Sequence, residues 1–181
     1  MEDKSKVICE ALDPSTGLFI SMALLRDVKN AKDLKEKVMS GALKCAIMKP
    51  SLIVDPFQVI VAANKAAVSY INNKMVTKSM YTELLFNLSI SKNITQSLVK
   101  FGIHESDDDV FIATIHKKNE SGILEILSEI SGELVPLVEL KNLFDSSLIC
   151  KSYKLSEFEK NNSLILDSIV SRIATSDFVT Y

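Results

Sequence analysis

The stretch from residue 52 to residue 102 constrains the fold most, because start and stop signals for successive elements follow one another there without a gap. Asp55-Pro56 is a strong helix start: an aspartate side chain can accept free backbone N–H groups, and proline has the backbone angle of the first helical position. Asn72-Asn73 ends the pattern. Between these signals the apolar or small residues recur at helical spacing, at Val59, Ala62, Ala63, Ala66 and Tyr70.

Two further elements follow in the same stretch. Residues 82–89 have the alternation of a half-buried strand, with Leu84, Phe86 and Leu88 on one face. Asn93 with Gln96 then resembles a capping box, which predicts a helix that Gly102 ends.

The amino-terminal part predicts a β-hairpin followed by a helix. Residues 6–11 and 18–26 are β-prone and flank a run of turn formers at residues 13–17. Asn30 is a suitable N-cap for a helix over residues 31–40, and Gly41 is a suitable stop. The apolar residues 45–48 predict a short buried strand.

The remaining chain alternates short strands and helices after an acidic loop at residues 104–109. Pro136 cannot donate to a central ladder, so the strand around it is expected at a sheet edge. The predicted elements are a strand at 110–116, a helix at 123–130, an edge strand at 133–138, helices at 140–145 and 147–155, and a last helix from Asn162 or Ser163 to about Ala174. This order predicts a mixed α/β (α+β) fold, with a largely antiparallel central sheet and helices on both sides, in a single domain over residues 1–181.

Composition excludes several classes of protein. A net charge of −2 is not that of a protein that coats nucleic acid, although a local basic face is compatible with it. Three widely spaced cysteines without a CxxC pair argue against a disulfide framework and a zinc knuckle, and fit a reducing compartment. The charged start is not a signal peptide, and the apolar segment 59–71 is too short to span a bilayer. We therefore expect a cytoplasmic and nuclear protein with no membrane association.

The sequence contains no recognisable catalytic, cofactor or metal motif. His104 and His116 are the only histidines and do not have metal-ligand spacing. Glycine-rich phosphate loops and the GxSxG nucleophile motif are absent, and the acidic run at 105–109 lacks the ligand spacing of a calcium loop. An enzyme assembled from residues distant in sequence stays open.

Two surface features have alternative explanations. The last helix carries one apolar stripe at Leu166, Val170 and Ile173 and a second at Ile165 and Ile169. Such a helix is either buried between elements of its own fold, or has one stripe on the core and the other on a partner.

The second feature is a group of lysines in and after the Asp55 helix, at Lys65, Lys74 and Lys78. They form either an ordinary solvated face or a patch that contacts phosphates. Asn64 lies beside them, and its amide can both donate to and accept from a base or ribose.

Several segments, in their order and spacing, resemble one known family from about Phe19 onward. They are IVDPFQVIVAANKA (53–66), NKMVTKSMYTELLFNLS (73–89), NITQSLVKFGI (93–103), KSYKLSEFEK (151–160) and LILDSIVSRIATSDF (164–178). The sequence is similar to the small kinase-binding subunit of the KEOPS (EKC) tRNA-modifying complex, in its animal form.

The resemblance implies a non-catalytic subunit without a cofactor. Such a subunit binds the atypical kinase/ATPase subunit directly, contacts other KEOPS subunits through the kinase, and supports threonylcarbamoyladenosine modification of tRNA, in part by helping to recruit the tRNA. On this basis we expect kinase contacts from Tyr153, Ile165, Ile169 and Arg172. We expect tRNA contacts from Asn64, Lys65, Lys74 and Lys78. The alternative is an unrecognised small-molecule-binding or enzymatic α/β domain, which would not retain a kinase-like partner in a pull-down.

Overall fold

A five-stranded antiparallel sheet forms the centre of the computed structural model, which describes residues 6–120, 122–161 and 165–181. The order of the main strands is β1-β2-β4-β3, and β5 pairs with β2 on the same side as β1. The strands are β1 Ile8–Ala11, β2 Leu18–Arg26, β3 Ala46–Met48, β4 Val110–Lys117 and β5 Glu133–Val135.

Helices cover both faces of this sheet. They are α1 Ala31–Ser40, α2 Pro56–Ile71, α3 Met80–Leu88, α4 Ile94–Phe101, α5 Ile123–Ser128, α6 Ser146–Tyr153, α7 Glu157–Asn161 and α8 Ile165–Thr175. Side chains alternate along a strand, so Ile20 and Met22 of β2 point to a core shared with α2, α3, α6 and α8. Ala23 and Leu25 point to a second core shared with α1 and α5. The predicted fold class, an antiparallel sheet between helices in a mixed α/β domain, is confirmed.

Local signals account for the elements that the sequence predicted correctly. The Asp55 side chain accepts a hydrogen bond from the Phe57 N–H, and Pro56 is the first residue of α2. Asn93 caps α4 through the Gln96 N–H, and Gly41 ends α1 at a φ of 78°, in the left-handed region that favours glycine. Asn30 occupies the N-cap position of α1 as predicted, but its side chain does not cap the helix. It bonds the backbone of residues 129 and 131, after α5.

The strand predicted at residues 82–89 is wrong, because residues 82–88 belong to α3 and Ser89 follows its end. Ser79 and Thr82 cap this helix reciprocally through their side chains and backbone N–H groups. Leu84 and Leu88 are buried and lie four residues apart, so their spacing fits a helical face as well as a strand face. The capping signal decides between the two, and α3 packs on α2 and β3.

In the carboxy-terminal part, the boundaries of the helices and strands differ from those predicted from the sequence. The helix predicted at 140–145 is a 3₁₀ helix at Leu137–Asn142, the short helix α7 was not predicted, and β5 ends at Val135. Helix α6 ends at Tyr153 because Lys154 takes a left-handed φ of 52°. The expected start of the last helix at Asn162 or Ser163 lies outside the described residues, as does Leu164. Among the helices of the described ranges, none is long and apolar enough to cross a membrane.

Candidate protein and nucleic-acid interfaces

Helix α8 is oriented differently from the prediction. Ile169 and Ile173, four residues apart, are fully buried in the core beside α2, and Ile165 packs against the same core. Ile169 therefore faces the core, and its predicted outward orientation is wrong. The physical reason is that α8 packs on α2, and sequence periodicity does not tell which of two apolar stripes faces a neighbouring helix. Ile165 is half-buried, and its kinase contact stays a prediction.

The exposed part of α8 has an apolar side and a polar side. Leu166 and Val170 are half-buried and Ala174 is exposed, at a spacing of four residues. Phe178 continues this spacing after the helix ends and is 89% exposed. We call these four residues the apolar flank of α8. Sequence reasoning placed Leu166 and Val170 in the core and missed Phe178, although the spacing of four residues was visible.

Arg172 lies on the other side of α8 and is engaged within the chain. Its guanidinium nitrogens lie 2.6 and 3.1 Å from the two Glu159 carboxylate oxygens, and it stacks 5.4 Å from the centre of the Tyr181 ring. The Arg172 guanidinium holds the pKa of Glu159 well below its usual range. The pair joins α7 to α8, so the Arg172 guanidinium is already engaged inside the fold, and its kinase contact stays a prediction.

Tyr153 is also part of the interior. Its side chain is fully buried, its hydroxyl donates to the Leu88 carbonyl at 2.6 Å, and it accepts from the Gln58 amide at 2.9 Å. Burial raises the pKa of Tyr153 well above its usual range. Tyr153 therefore connects α6 to α2 and α3, and in the free chain its side chain presents no surface for the expected kinase contact.

Lys65 and Asn64 do not form an open basic face. The Lys65 ammonium donates to the Ile173 carbonyl at 2.8 Å and to the Ser176 hydroxyl at 2.7 Å, and it lies 3.1 Å from an Asp177 oxygen. Lys92 donates to the Ser176 carbonyl. Carbonyls at a helix carboxyl end lack intrahelical partners and attract cations, so these two lysines stabilise the end of α8.

Asn64 is engaged by the β1–β2 turn. Its side-chain oxygen accepts a hydrogen bond from the Asp13 N–H at 2.7 Å. Both Asn64 and Lys65 thus stabilise the fold, and of the four residues predicted to contact tRNA only Lys74 and Lys78 have exposed side chains.

Lys74 and Lys78 remain exposed. They lie in the loop between α2 and α3, and neither forms an ion pair within the described ranges. From residue 56 to residue 82 the sequence contains no Asp or Glu, so this surface is locally basic in an acidic protein. Tyr70 and Val76 beside them are 48% and 61% exposed.

Groups with catalytic potential are used in ordinary contacts in the described part of the chain. His116 stacks on Phe19 and its Nε2 lies 2.8 Å from the Ser21 hydroxyl. Burial raises the pKa of Cys45 to about 12, which keeps its thiol protonated and unreactive. Within the described ranges, no group of three or more His, Cys, Asp or Glu residues is arranged to hold a metal ion.

Comparisons with known proteins give one matching family and several similar proteins. The profile of the family described as "Kinase binding protein CGI-121" matches residues 25–177. The EKC/KEOPS complex subunit TPRKB of Danio rerio is 37% identical over 159 residues, which cover 87% of this chain and 91% of that protein. The EKC/KEOPS complex subunit cgi121 of Aspergillus fumigatus is 28% identical over 148 residues, which cover 77% and 78%. The subunit CGI121 of Coccidioides immitis is 27% identical over 158 residues, which cover 83% and 76%.

Proposed function

Because this chain belongs to the CGI-121 family of kinase binding proteins, we propose that it is a non-catalytic EKC/KEOPS subunit that binds the kinase subunit directly and supports threonylcarbamoyladenosine modification of tRNA. The observation that carries the proposal is the match of the family profile over residues 25–177. The TPRKB subunit of Danio rerio, similar over 87% of this chain, supports the same assignment.

The apolar flank of α8 is the surface that best fits a kinase contact. Three of its members, Leu166, Val170 and Phe178, are large apolar residues that water reaches, and α8 is anchored behind them by two fully buried isoleucines. Burying a large apolar side chain in an interface is worth about 1.5–3 kcal/mol, and a few central residues usually supply most of the affinity. The flank is thus supported from behind by buried residues and presents apolar side chains that a partner can cover.

Co-purification with the recombinant kinase subunit tests the function. We expect a stable one-to-one complex, with the other KEOPS subunits joining only when the kinase is present. The purified chain alone should neither hydrolyse ATP nor modify tRNA. A chain that stays monomeric beside an excess of kinase would contradict the proposal. ATP turnover by the isolated chain that a single substitution in it removes would favour an enzyme instead.

Lys74 and Lys78 are the proposed contribution to tRNA binding. Both side chains are exposed and no carboxylate within the described ranges neutralises them by an ion pair, so they are free to meet phosphates. Lysine binds phosphate as a point charge and reads little sequence, so the contact should strengthen binding to every tRNA similarly.

Charge reversal at both positions should weaken tRNA binding by the assembled complex. In Lys74→Glu/Lys78→Glu, the slope of log affinity against log salt should fall by roughly 0.7 to 0.9 for each phosphate that the protein no longer neutralises. The measurement is tRNA binding across a salt series. The matched control is Lys29→Glu/Lys32→Glu, which reverses two exposed lysines at α1 on the opposite face of the sheet. Equal affinity and slope in both variants would return Lys74 and Lys78 to an ordinary solvated surface.

A further inference from the structure

The buried carboxylate of Glu83 forms hydrogen bonds to the loop of residues 74–78, which carries Lys74 and Lys78. Glu83, in the first turn of α3, is only 2% exposed. Its oxygens accept from the Val76 N–H at 3.0 and 3.1 Å, from the Thr77 N–H at 2.7 Å and from the Thr77 hydroxyl at 2.7 Å. Glu83 therefore fixes the backbone midway between Lys74 and Lys78.

This arrangement is costly for stability alone. A buried carboxylate loses its hydration, and within the described ranges no cation forms an ion pair with Glu83. Three N–H and O–H donors and the positive end of α3 offset the cost. An apolar residue at this position would avoid the cost altogether, but it could not fix the loop by hydrogen bonds.

The loop that Glu83 holds has an inner and an outer side. Lys74, Val76 and Lys78 are exposed, whereas the residues between them, Met75 and Thr77, are half-buried. The Thr77 hydroxyl also accepts from the Thr82 hydroxyl at 3.0 Å, so the inner side is bonded to the capping residues of α3 as well. Both lysines are thereby turned outward together.

We propose that Glu83 is a positioning residue for RNA, which holds the 74–78 loop so that Lys74 and Lys78 reach the phosphates of one nucleic-acid strand together. The inference rests on the proposed tRNA contact of these lysines. Preorganised groups bind more tightly because less conformational entropy is lost on binding. Glu83 itself stays buried and does not touch the RNA.

The sign of the charge effect makes this role testable. Glu83→Gln removes a negative charge near a basic surface, and by Coulomb attraction alone this change would strengthen RNA binding. The amide also replaces one acceptor by a donor that faces the loop N–H groups, which loosens the loop. Weaker RNA binding by Glu83→Gln therefore reports lost geometry rather than altered charge.

The experiment is tRNA binding by the complex of this chain with the kinase subunit. We expect Glu83→Gln to lower the affinity by about threefold to tenfold and to flatten the salt dependence, because one phosphate is no longer neutralised. In a Lys74→Ala/Lys78→Ala background the same substitution should no longer weaken binding, because the groups it positions are gone. A purely structural role would instead lower the unfolding temperature and weaken RNA binding equally in both backgrounds, which would overturn the proposal.

A second variant decides the outcome if Glu83→Gln fails to fold. Thr77→Val removes the hydroxyl that donates to Glu83 and accepts from Thr82, and it keeps the shape and the backbone N–H. Thr95→Val is its control on the exposed surface of α4. We expect weaker tRNA binding for Thr77→Val alone, and equal binding by both would overturn the inference. If charge reversal at Lys74 and Lys78 weakens tRNA binding but Glu83→Gln does not, the positioning role alone is wrong. If that charge reversal has no effect, the tRNA contact itself is wrong.

Discussion

Val170→Glu is expected to abolish capture of the kinase subunit while the chain stays folded, whereas Ile169→Glu, one residue earlier, is expected to unfold it. Val170 is half-buried on the apolar flank of α8, and Ile169 is fully buried against α2. A carboxylate at position 170 would be desolvated without a partner only in the complex, but at position 169 it would be buried in the free chain. The loss of affinity for Val170→Glu should exceed about 30-fold, as for a central interface residue.

The two outcomes are separated by measuring kinase affinity and thermal unfolding for each variant. Ser171→Glu is the matched control, because Ser171 is exposed on the same helix outside the apolar flank. It should bind and unfold like the parent chain. Normal kinase binding by a folded Val170→Glu variant would show that the contact lies on another surface of the chain.

Lys65→Met should destabilise the fold and leave tRNA binding unchanged. Methionine keeps the apolar stem but removes the ammonium that bonds the Ile173 carbonyl, the Ser176 hydroxyl and Asp177 at the end of α8. The Lys65 side chain is only 16% exposed and Ser176 is buried, whereas the Asp177 side chain is 57% exposed and stays hydrated without the lysine. We expect a loss of about 1.5–3 kcal/mol in the free energy of unfolding, the scale for hydrogen bonds to a charged group.

Urea unfolding and tRNA binding at saturating kinase check this expectation. Lys74→Met is the control, since it removes an exposed lysine with no ion pair within the described ranges. Its effects should be reversed: normal stability and weaker tRNA binding. A Lys65→Met variant with normal stability and weakened tRNA binding would restore Lys65 to the RNA surface.

Elements whose signals lie within a few residues could be predicted from the sequence. Asp55-Pro56 is a local signal for the start of α2. The hairpin before α1 is predicted by the turn residues between two β-prone runs. The alternation in residues 82–89 gave a wrong strand prediction, because leucines at positions 84 and 88 fit both the two-residue period of a strand and the 3.6-residue period of a helix. The side-chain cap at Ser79 marks the start of the helix that forms instead. The cap was also local, and it would have been the better guide.

The orientation of the candidate site residues could not be predicted from local sequence signals. Lys65 and Tyr153 have polar ends and were expected at the surface, but each finds partners about a hundred positions away in the chain. Such partners depend on the assembled tertiary structure, so residue type alone does not reveal them. Sequence periodicity gave the last helix two apolar stripes, and only packing on α2 decided which of them faces outward.

The anchoring of α8 also bears on when, during folding, the proposed kinase contact can form. Its carboxyl end is held by Lys65, from 108 positions earlier, and by Lys92, from 84 positions earlier than its acceptor, so the helix docks only on a body that is already assembled. Contacts this distant in sequence form late, because closing long loops costs entropy before any contact compensates it. During synthesis α8 therefore has no surface to pack on until the sheet and α2 have folded. The kinase contact proposed for α8 is thus expected only from chains that have finished folding, and a copy in which α8 is not docked would lack that surface.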